Sequence, residues 1–162
     1  MHASLKTALF TLSWVPVFIS VQQVCGQLIW IQGRSMQPSL NPDSSLGTRD
    51  LLLIQKYGLR RADSFSKGDV VILHSPIDPE KILVKRITAL QNETVKPRSS
   101  SYPKKQLKIP PNHLWIEGDS IHSVDSNSFG PVSSGLVVGK ARWIVYPFNR
   151  YGPIPSKSLD ME

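Results

Sequence analysis

Apolar and polar positions divide this chain into two unlike parts. Residues 7–33 contain no charged side chain, whereas the chain after Asp50 consists of short apolar runs separated by Gly, Pro, Ser and Asp. Runs of this length between such turn residues indicate strands, and no segment after Asp50 has a helical period. The pattern therefore predicts an all-β domain, with strands at residues 51–54, 70–73, 81–90, 107–109, 113–116, 136–138 and 141–146.

The charge-free run has three interpretations: a cleaved secretory signal, an organelle-targeting segment or a retained membrane anchor. Its 27 residues are long enough to cross a bilayer, although Pro16, Gln22, Gln23 and Gln27 interrupt it. Cleavage near Cys25 would leave the following loop at a free end, so we favour a retained anchor that forms one transmembrane helix. A soluble core segment is the alternative. We expect an anchor at residues 1–31, a folded domain at 32–150 and a flexible tail at 151–162.

Composition narrows the classes of function. The chain has 162 residues, enough for one domain, and a net charge of +7 that is dispersed along it. A single cysteine excludes an intrachain disulfide, and four scattered histidines give no metal-ligand spacing, so we expect no metal and no cofactor. We interpret the densest basic cluster as a solvated loop rather than a nucleic-acid or lipid contact; it comprises Lys96, Arg98, Lys104, Lys105 and Lys108.

Ser35 and Lys85 are the candidate reactive residues. A serine hydroxyl attacks a carbonyl only when a nearby group accepts its proton, and no histidine is obviously placed to do so. Alternation along a strand puts Lys85 on one face with Leu83 and Ile87. Desolvation on such a face lowers the pKa of a lysine, and a neutral amine can act as a general base. A lysine that extends to solvent at a sheet edge is the alternative.

Four segments in order extend this pair into a recognisable pattern. They are Gly33-x-Ser35-Met36-x-Pro38-Ser39-Leu40, then residues 67–71, then 84–86, and then 118–120 with 125–126. In order and spacing they resemble the type I signal peptidases, which are membrane-anchored Ser/Lys-dyad endopeptidases with a β-rich catalytic domain. The resemblance spans about residues 31–141. Residues 37–42 and 125–132 are similar to the mitochondrial inner-membrane members of this family.

The resemblance implies roles for individual residues. Ser35 matches the nucleophile and Lys85 the general base. The supporting positions are a salt-bridge pair, a hydroxyl that bonds the lysine, and a nearby carboxylate: Arg86 with Asp119, Ser123, and Asp125. The chain departs from the family at Gly33, where some members have a serine of the oxyanion hole. It departs again at residues 89–92, where a Gly-Asp pair is common, and at Asn127, where many members have an arginine.

The function implied is acyl-enzyme cleavage of sorting or signal peptides from proteins delivered to the mitochondrial intermembrane space. Lys6 predicts an N-terminus in the matrix, which puts the catalytic domain on the intermembrane-space side of the inner membrane. The expected partners are presequence-bearing precursors, the lipid bilayer and a related protease subunit in a heterodimer, with no nucleic acid. A bacterial or secretory-pathway signal peptidase and a non-catalytic membrane-anchored β scaffold are the alternatives. A self-cleaving repressor would need a DNA-binding module, which residues 1–30 do not offer.

Overall fold

A computed structural model describes residues 10–17, 26–42, 49–59, 62–99 and 102–156. Strands dominate it, which confirms the predicted β-rich architecture. The elements in chain order are β1 Gly26–Trp30, β2 Leu51–Gln55, β3 Val70–His74, β4 Ile82–Ala89, β5 Thr94–Val95, β6 Leu107–Lys108, β7 His113–Glu117, α1 Ser126–Phe129, β8 Val132–Ser133, β9 Val137–Tyr146 and β10 Gly152–Pro153. Short 3-10 turns occupy Ala62–Ser64, Ser134–Leu136 and Phe148–Arg150.

One antiparallel sheet contains most of the strands, in the order β1-β2-β9-β3-β4-β7-β8. The short β10 adds to β9, and β5 pairs with β6 in a separate hairpin. The turn predicted at Lys67-Gly68-Asp69 leads into β3, and Gly68 has φ +89°, a conformation that favours glycine. The order places β4, which carries Lys85, between β3 and β7.

The middle strands are buried on both faces, which explains their continuous apolar sequences. In β3, Val70 and Ile72 contact one core cluster while Val71 and Leu73 contact another. The first cluster also contains Met36 from the segment around Ser35. Its other buried members are Ile31, Leu40, Leu52, Ile54, Ala141 and Ile144. The second cluster is completed by Leu59, Phe65, Ile87, Leu114, Ile116 and Val132. The segment around Ser35 is therefore fixed to the sheet by apolar packing.

The N-terminal part differs from the predicted anchor at residues 1–31. Gly26–Trp30 forms β1, which pairs with β2, and Ile29 packs against the first core cluster while Leu28 and Trp30 are exposed. Pairing with β2 identifies the segment as a strand, whereas its apolar residues 28–30 also suit the end of a membrane segment. Residues 10–17 are helical; within the parts of the chain that are described, no helix has the length and apolarity needed to span a membrane. Residues 1–9 and 18–25 lie outside the described residues.

The C-terminal segment also differs from the flexible tail predicted at residues 151–162. Gly152 and Pro153 form β10, opposite Ile144 and Trp143 of β9, and Ile154 packs against the first core cluster. The prolines that suggested a frayed end are compatible with a short edge strand. Residues 157–162 lie outside the described part of the chain.

The close contact between β9 and β2 gives a test of the packing. A Cβ on Gly139 would overlap Cγ2 of Ile54, so Gly139→Ala forces the two strands apart. We expect this substitution to lower the free energy of unfolding by about 1–3 kcal/mol, the usual effect of overpacking a core. Urea denaturation of the purified chain in detergent measures it. Gly135→Ala is the matched control, because its Cβ would meet Oγ of Ser133 at an ordinary 3.5 Å; equal stability of both variants would contradict the packing.

Candidate active site

The segment that carries Ser35 connects β1 to β2 and is held by the side chain of Asn41. Nδ2 of Asn41 donates to the carbonyl oxygen of Ile31 at 3.0 Å, and Oδ1 accepts from the backbone N–H of Asp50 at 2.8 Å. The backbone N–H of Asn41 donates to Oδ2 of Asp50 at 2.9 Å. Asn41 itself has φ +49°, which asparagine tolerates better than most residues. These bonds close the two ends of the segment, residues 31–42, into a fixed loop, here called the serine loop.

Arg150 holds the serine loop from the far end of the chain. Its Nη1 donates to Oδ1 and Oδ2 of Asp50 at 2.7 and 2.6 Å, and its Nη2 donates to the carbonyl oxygen of Ser39 at 2.6 Å. Asp50 is buried, so this charge-assisted pairing satisfies a carboxylate that would otherwise be costly to bury. No sequence motif indicates this contact, because the partners lie 100 residues apart and neither belongs to a local motif.

Lys85 lies in β4 with only 2% of its surface exposed. Its Nζ donates to Oγ of Ser123. Burial lowers the pKa of Lys85, and the negative charge of Asp125 partly opposes that shift. The lysine is opposite Val71 of β3, in the register expected for the face it shares with Leu83 and Ile87. The side chain is therefore desolvated and hydrogen-bonded, as a lysine with an available neutral form requires.

Gly118 brings the serine loop against the Ser123 hydroxyl. A Cβ at this position would overlap Oγ of Ser123 and would lie 2.5 Å from the carbonyl oxygen of Ser35. That same carbonyl oxygen accepts from the backbone N–H of Ser120 at 3.1 Å. Ser35 thus contacts the segment that also carries the partner of Lys85. Only a residue without a side chain permits this approach.

Arg86, next to Lys85 on β4, forms a buried ion pair with Asp119. Its Nε donates to Oδ1 at 3.0 Å and its Nη2 donates to Oδ2 at 2.7 Å. The remaining guanidinium donors bond the carbonyl oxygens of Gly68 at 2.9 Å and Pro155 at 3.0 Å. The planar guanidinium thus fixes three segments of chain against one strand.

Asp125 caps the short helix α1 and reaches back to Gly118. Its Oδ1 accepts from the backbone N–H of Asn127 at 3.0 Å, and its Oδ2 accepts from the backbone N–H of Gly118 at 3.0 Å. Nδ2 of Asn127 donates to Oδ1 of Asp125 at 3.0 Å as well. Asn127, where many family members have an arginine, therefore still bonds this carboxylate. The cap explains why Asp precedes Ser-Asn at this position.

The structure thus brings the sequence-predicted residues into one region of the molecule. Gly33 lies in the serine loop with φ +93° and open space around it, so a serine there would be strained by the backbone rather than by contacts. A cleft of about 840 Å³ runs between the serine loop and residues 119–122, and Arg98, Arg150 and Pro155 also line it. Among the described residues, no group of His, Cys, Asp and Glu side chains is arranged to hold a metal ion.

The contact through Gly118 predicts a large effect of a small substitution. Gly118→Ala introduces a Cβ that must displace either the Ser123 hydroxyl or the Ser35 carbonyl. We expect kcat/KM for the peptide cleavage implied by the sequence resemblance to fall by about 100-fold, as for a displacement of about 1 Å between reacting groups, with the fold retained by circular dichroism. Gly135→Ala serves again as the control that adds a methyl group away from the site. Near-normal activity of Gly118→Ala would mean that the close approach is not required.

Comparison with known proteins identifies the family of this chain. The family model described as signal peptidase, peptidase S26, matches residues 4–101 and 91–146. The chain is 40% identical over 149 residues to mitochondrial inner membrane protease subunit 2 of Saccharomyces cerevisiae, covering 91% of this chain and 84% of the relative. It is 43% identical over 145 residues to the subunit 2 protein of Schizosaccharomyces pombe, covering 87% of this chain and 76% of the relative. To mitochondrial inner membrane protease subunit 1 of Mus musculus it is 32% identical over 129 residues, covering 78% and 74%. The chain therefore belongs to the signal peptidase family, peptidase S26, and is a serine-type hydrolase.

Proposed function

We propose that this signal peptidase uses Ser35 as nucleophile and Lys85 as general base to remove sorting peptides from proteins delivered to the mitochondrial intermembrane space. The observation that carries the proposal is the environment of Lys85: a buried amine of lowered pKa, bonded to Ser123, beside the segment that contacts Ser35. The location follows from the relatives, which are named as mitochondrial inner membrane proteases.

In the proposed mechanism, the neutral amine of Lys85 takes the proton of the Ser35 hydroxyl as its Oγ attacks the scissile carbonyl carbon. The backbone N–H of Ser35 donates to the developing oxyanion, since Gly33 has no side-chain donor to offer. The protonated Lys85 then gives its proton to the leaving amine, and the peptide bond breaks. Lys85 next takes a proton from water, whose oxygen attacks the acyl carbon; the bond to Ser35 Oγ then breaks and Lys85 returns the proton to that oxygen, which restores the free serine and the neutral amine.

The supporting residues hold Lys85 and the segments around Ser35 in position. Ser123 accepts a hydrogen bond from the amine of Lys85 and so orients it. The ion pair of Arg86 with Asp119 holds β4 against the segment that contacts the serine loop. Asp125 fixes Gly118 by accepting its backbone N–H. The partners in these contacts are buried: Lys85 and Arg86 are 2% and 3% exposed, and the Asp119 side chain is 1% exposed.

An extended substrate suits this arrangement. β1 is an edge strand and leads directly into the serine loop, so a peptide can add to the sheet through backbone hydrogen bonds. The cleft beside the serine loop offers space for residues on one side of the scissile bond. Recognition through the peptide backbone is compatible with precursors that differ in sequence.

The proposed membrane location has support from the outer face of the sheet. Leu28, Leu53 and Trp143 form one row across β1, β2 and β9. Trp30 and Tyr146 belong to the next row, with ring centroids 5.8 Å apart. All five side chains are exposed, and tryptophan and tyrosine favour the interface between membrane and water.

The sequence before β1 fits an anchor at this face. Residues 7–25 are free of charge and end immediately before β1, and their number is close to the roughly 20 residues that a spanning helix needs. We propose a membrane segment within residues 1–25, with Lys6 on the matrix side and the β domain in the intermembrane space. We also propose a heterodimer with a related protease subunit, because the relatives carry both subunit 1 and subunit 2 names.

Substitution of the two reactive residues tests the mechanism. Ser35→Ala and Lys85→Arg should each lower cleavage of a presequence-bearing precursor by about 1,000-fold or more, because one removes the nucleophile and the other keeps charge but cannot accept a proton. Membranes containing each variant are assayed, with the fold checked by limited proteolysis.

Matched controls make the outcome specific. Ser39→Ala changes another serine of the same loop, and Lys140→Arg changes another buried lysine, which is paired with Asp69. Both controls should keep most of the activity. Near-normal activity of Lys85→Arg would remove Lys85 as the base, and near-normal activity of Ser35→Ala would remove the acyl-enzyme mechanism.

A further inference from the structure

An arginine of the β5–β6 loop is connected to the proposed site by polar contacts. The side chain of Arg98 is 61% exposed, yet its Nη2 lies 2.6 Å from Oε2 of Glu117, whose side chain is 7% exposed. The backbone N–H of Arg98 donates to Oδ1 of Asn127 at 2.7 Å. Arg98 therefore holds a buried carboxylate with its side chain and a neighbouring amide with its backbone.

Asn127 bridges two buried carboxylates. Its Nδ2 donates to Oε1 of Glu117 at 3.1 Å and to Oδ1 of Asp125 at 3.0 Å. Oε1 of Glu117 also accepts from Nε1 of Trp115 at 3.1 Å. Two negative groups that share one amide repel each other unless a cation balances one of them. Arg98 is the cation that contacts this pair.

Other charged groups besides Arg98 lie around Lys85 and contribute to its electrostatic environment. Asp125 opposes the effect of burial on the lysine. The neighbouring pairs, Arg86 with Asp119 and Lys140 with Asp69, are each neutral in sum. Other charged or titratable groups near the site include Asp125, Glu117 in its pair with Arg98, and the exposed His122.

We infer that Arg98 is a positioning residue of the proposed Ser/Lys site: by balancing Glu117 it keeps Asp125 on Gly118 and limits the negative charge near Lys85. This inference rests on the proposed function. Loss of Arg98 leaves the Glu117 carboxylate without its cation and so adds one uncompensated negative charge. A more negative surrounding favours the ammonium form of Lys85, and the amine then becomes available only at higher pH.

The test is the pH dependence of kcat/KM, which rises with pH as the base loses its proton. In the full-length chain, Arg98→Met should move the midpoint of this rise upward by about half a pH unit, the order expected for one charge near a titrating group. Arg98→Lys keeps the charge and should stay close to wild type. Glu117→Gln removes the opposite charge, and the double variant Arg98→Met with Glu117→Gln should return to the wild-type midpoint.

Lys105→Met is the matched control, because it removes an exposed cation of the same loop. Its midpoint should not move. An unmoved midpoint in Arg98→Met overturns the inference, as does a shift that persists in the double variant, because persistence would mean lost loop structure rather than lost charge balance.

Arg98 also lines the cleft. A change in KM alone, not reversed by Glu117→Gln, would mean direct substrate contact and would equally overturn it.

The outcome is separable from the proposed function itself. Activity retained in Ser35→Ala, or a wild-type profile with no rising limb, counts against the Ser/Lys mechanism and not against the role of Arg98. If Arg98→Met does not fold, as judged by thermal unfolding, Glu117→Gln alone decides. It leaves Arg98 unbalanced and should move the midpoint downward, and an unchanged or raised midpoint would contradict the inference.

Discussion

The burial of Lys85 is the constraint on which the rest of this structure depends. An ammonium group loses much of its hydration when it is removed from water. In this protein, a hydrogen bond to the Ser123 hydroxyl and the negative charge of Asp125 partly offset that loss. A surface lysine would stay protonated at neutral pH and could not take a proton from a serine. Lys85 lies on an inner strand of the sheet, between β3 and β7, and only 2% of its surface is exposed.

A buried Lys85 can act as a base in the proposed mechanism only if the serine loop is held in place as well. Ion pairs hold both the segment at residue 119 and the serine loop. Arg86 fixes the 119 segment to β4, while Arg150 fixes the serine loop through Asp50. Both arginines also bond backbone carbonyls, which couples distant parts of the chain. Partners this far apart in sequence hold the site only once the whole sheet has formed. Site geometry and global folding are therefore coupled.

Much of the fold could be predicted from sequence because strands depend on local periodicity, whereas the pairing of Ser35 with Lys85 was implied by the resemblance to the signal peptidases. Alternation along one strand placed Lys85 on a buried face, and turn residues marked the strands. Arg150 and the Arg98–Glu117 contact could not be found this way, since their partners come together only through tertiary packing. The apolar sequence of Gly26–Trp30 was also ambiguous, because a strand with two apolar faces resembles the end of a membrane segment.

The most direct test of the account is the ionisation of Lys85 itself. Lysine labelled with ¹³C and ¹⁵N allows each side chain to be titrated by NMR in detergent, and the Lys85→Arg spectrum identifies its signal. We predict that the Lys85 amine loses its proton well below about pH 10.4, the pKa of a solvated lysine, while the exposed lysines titrate near that value. If the Lys85 signal instead titrates together with the exposed lysines, the amine is not desolvated and cannot be the base.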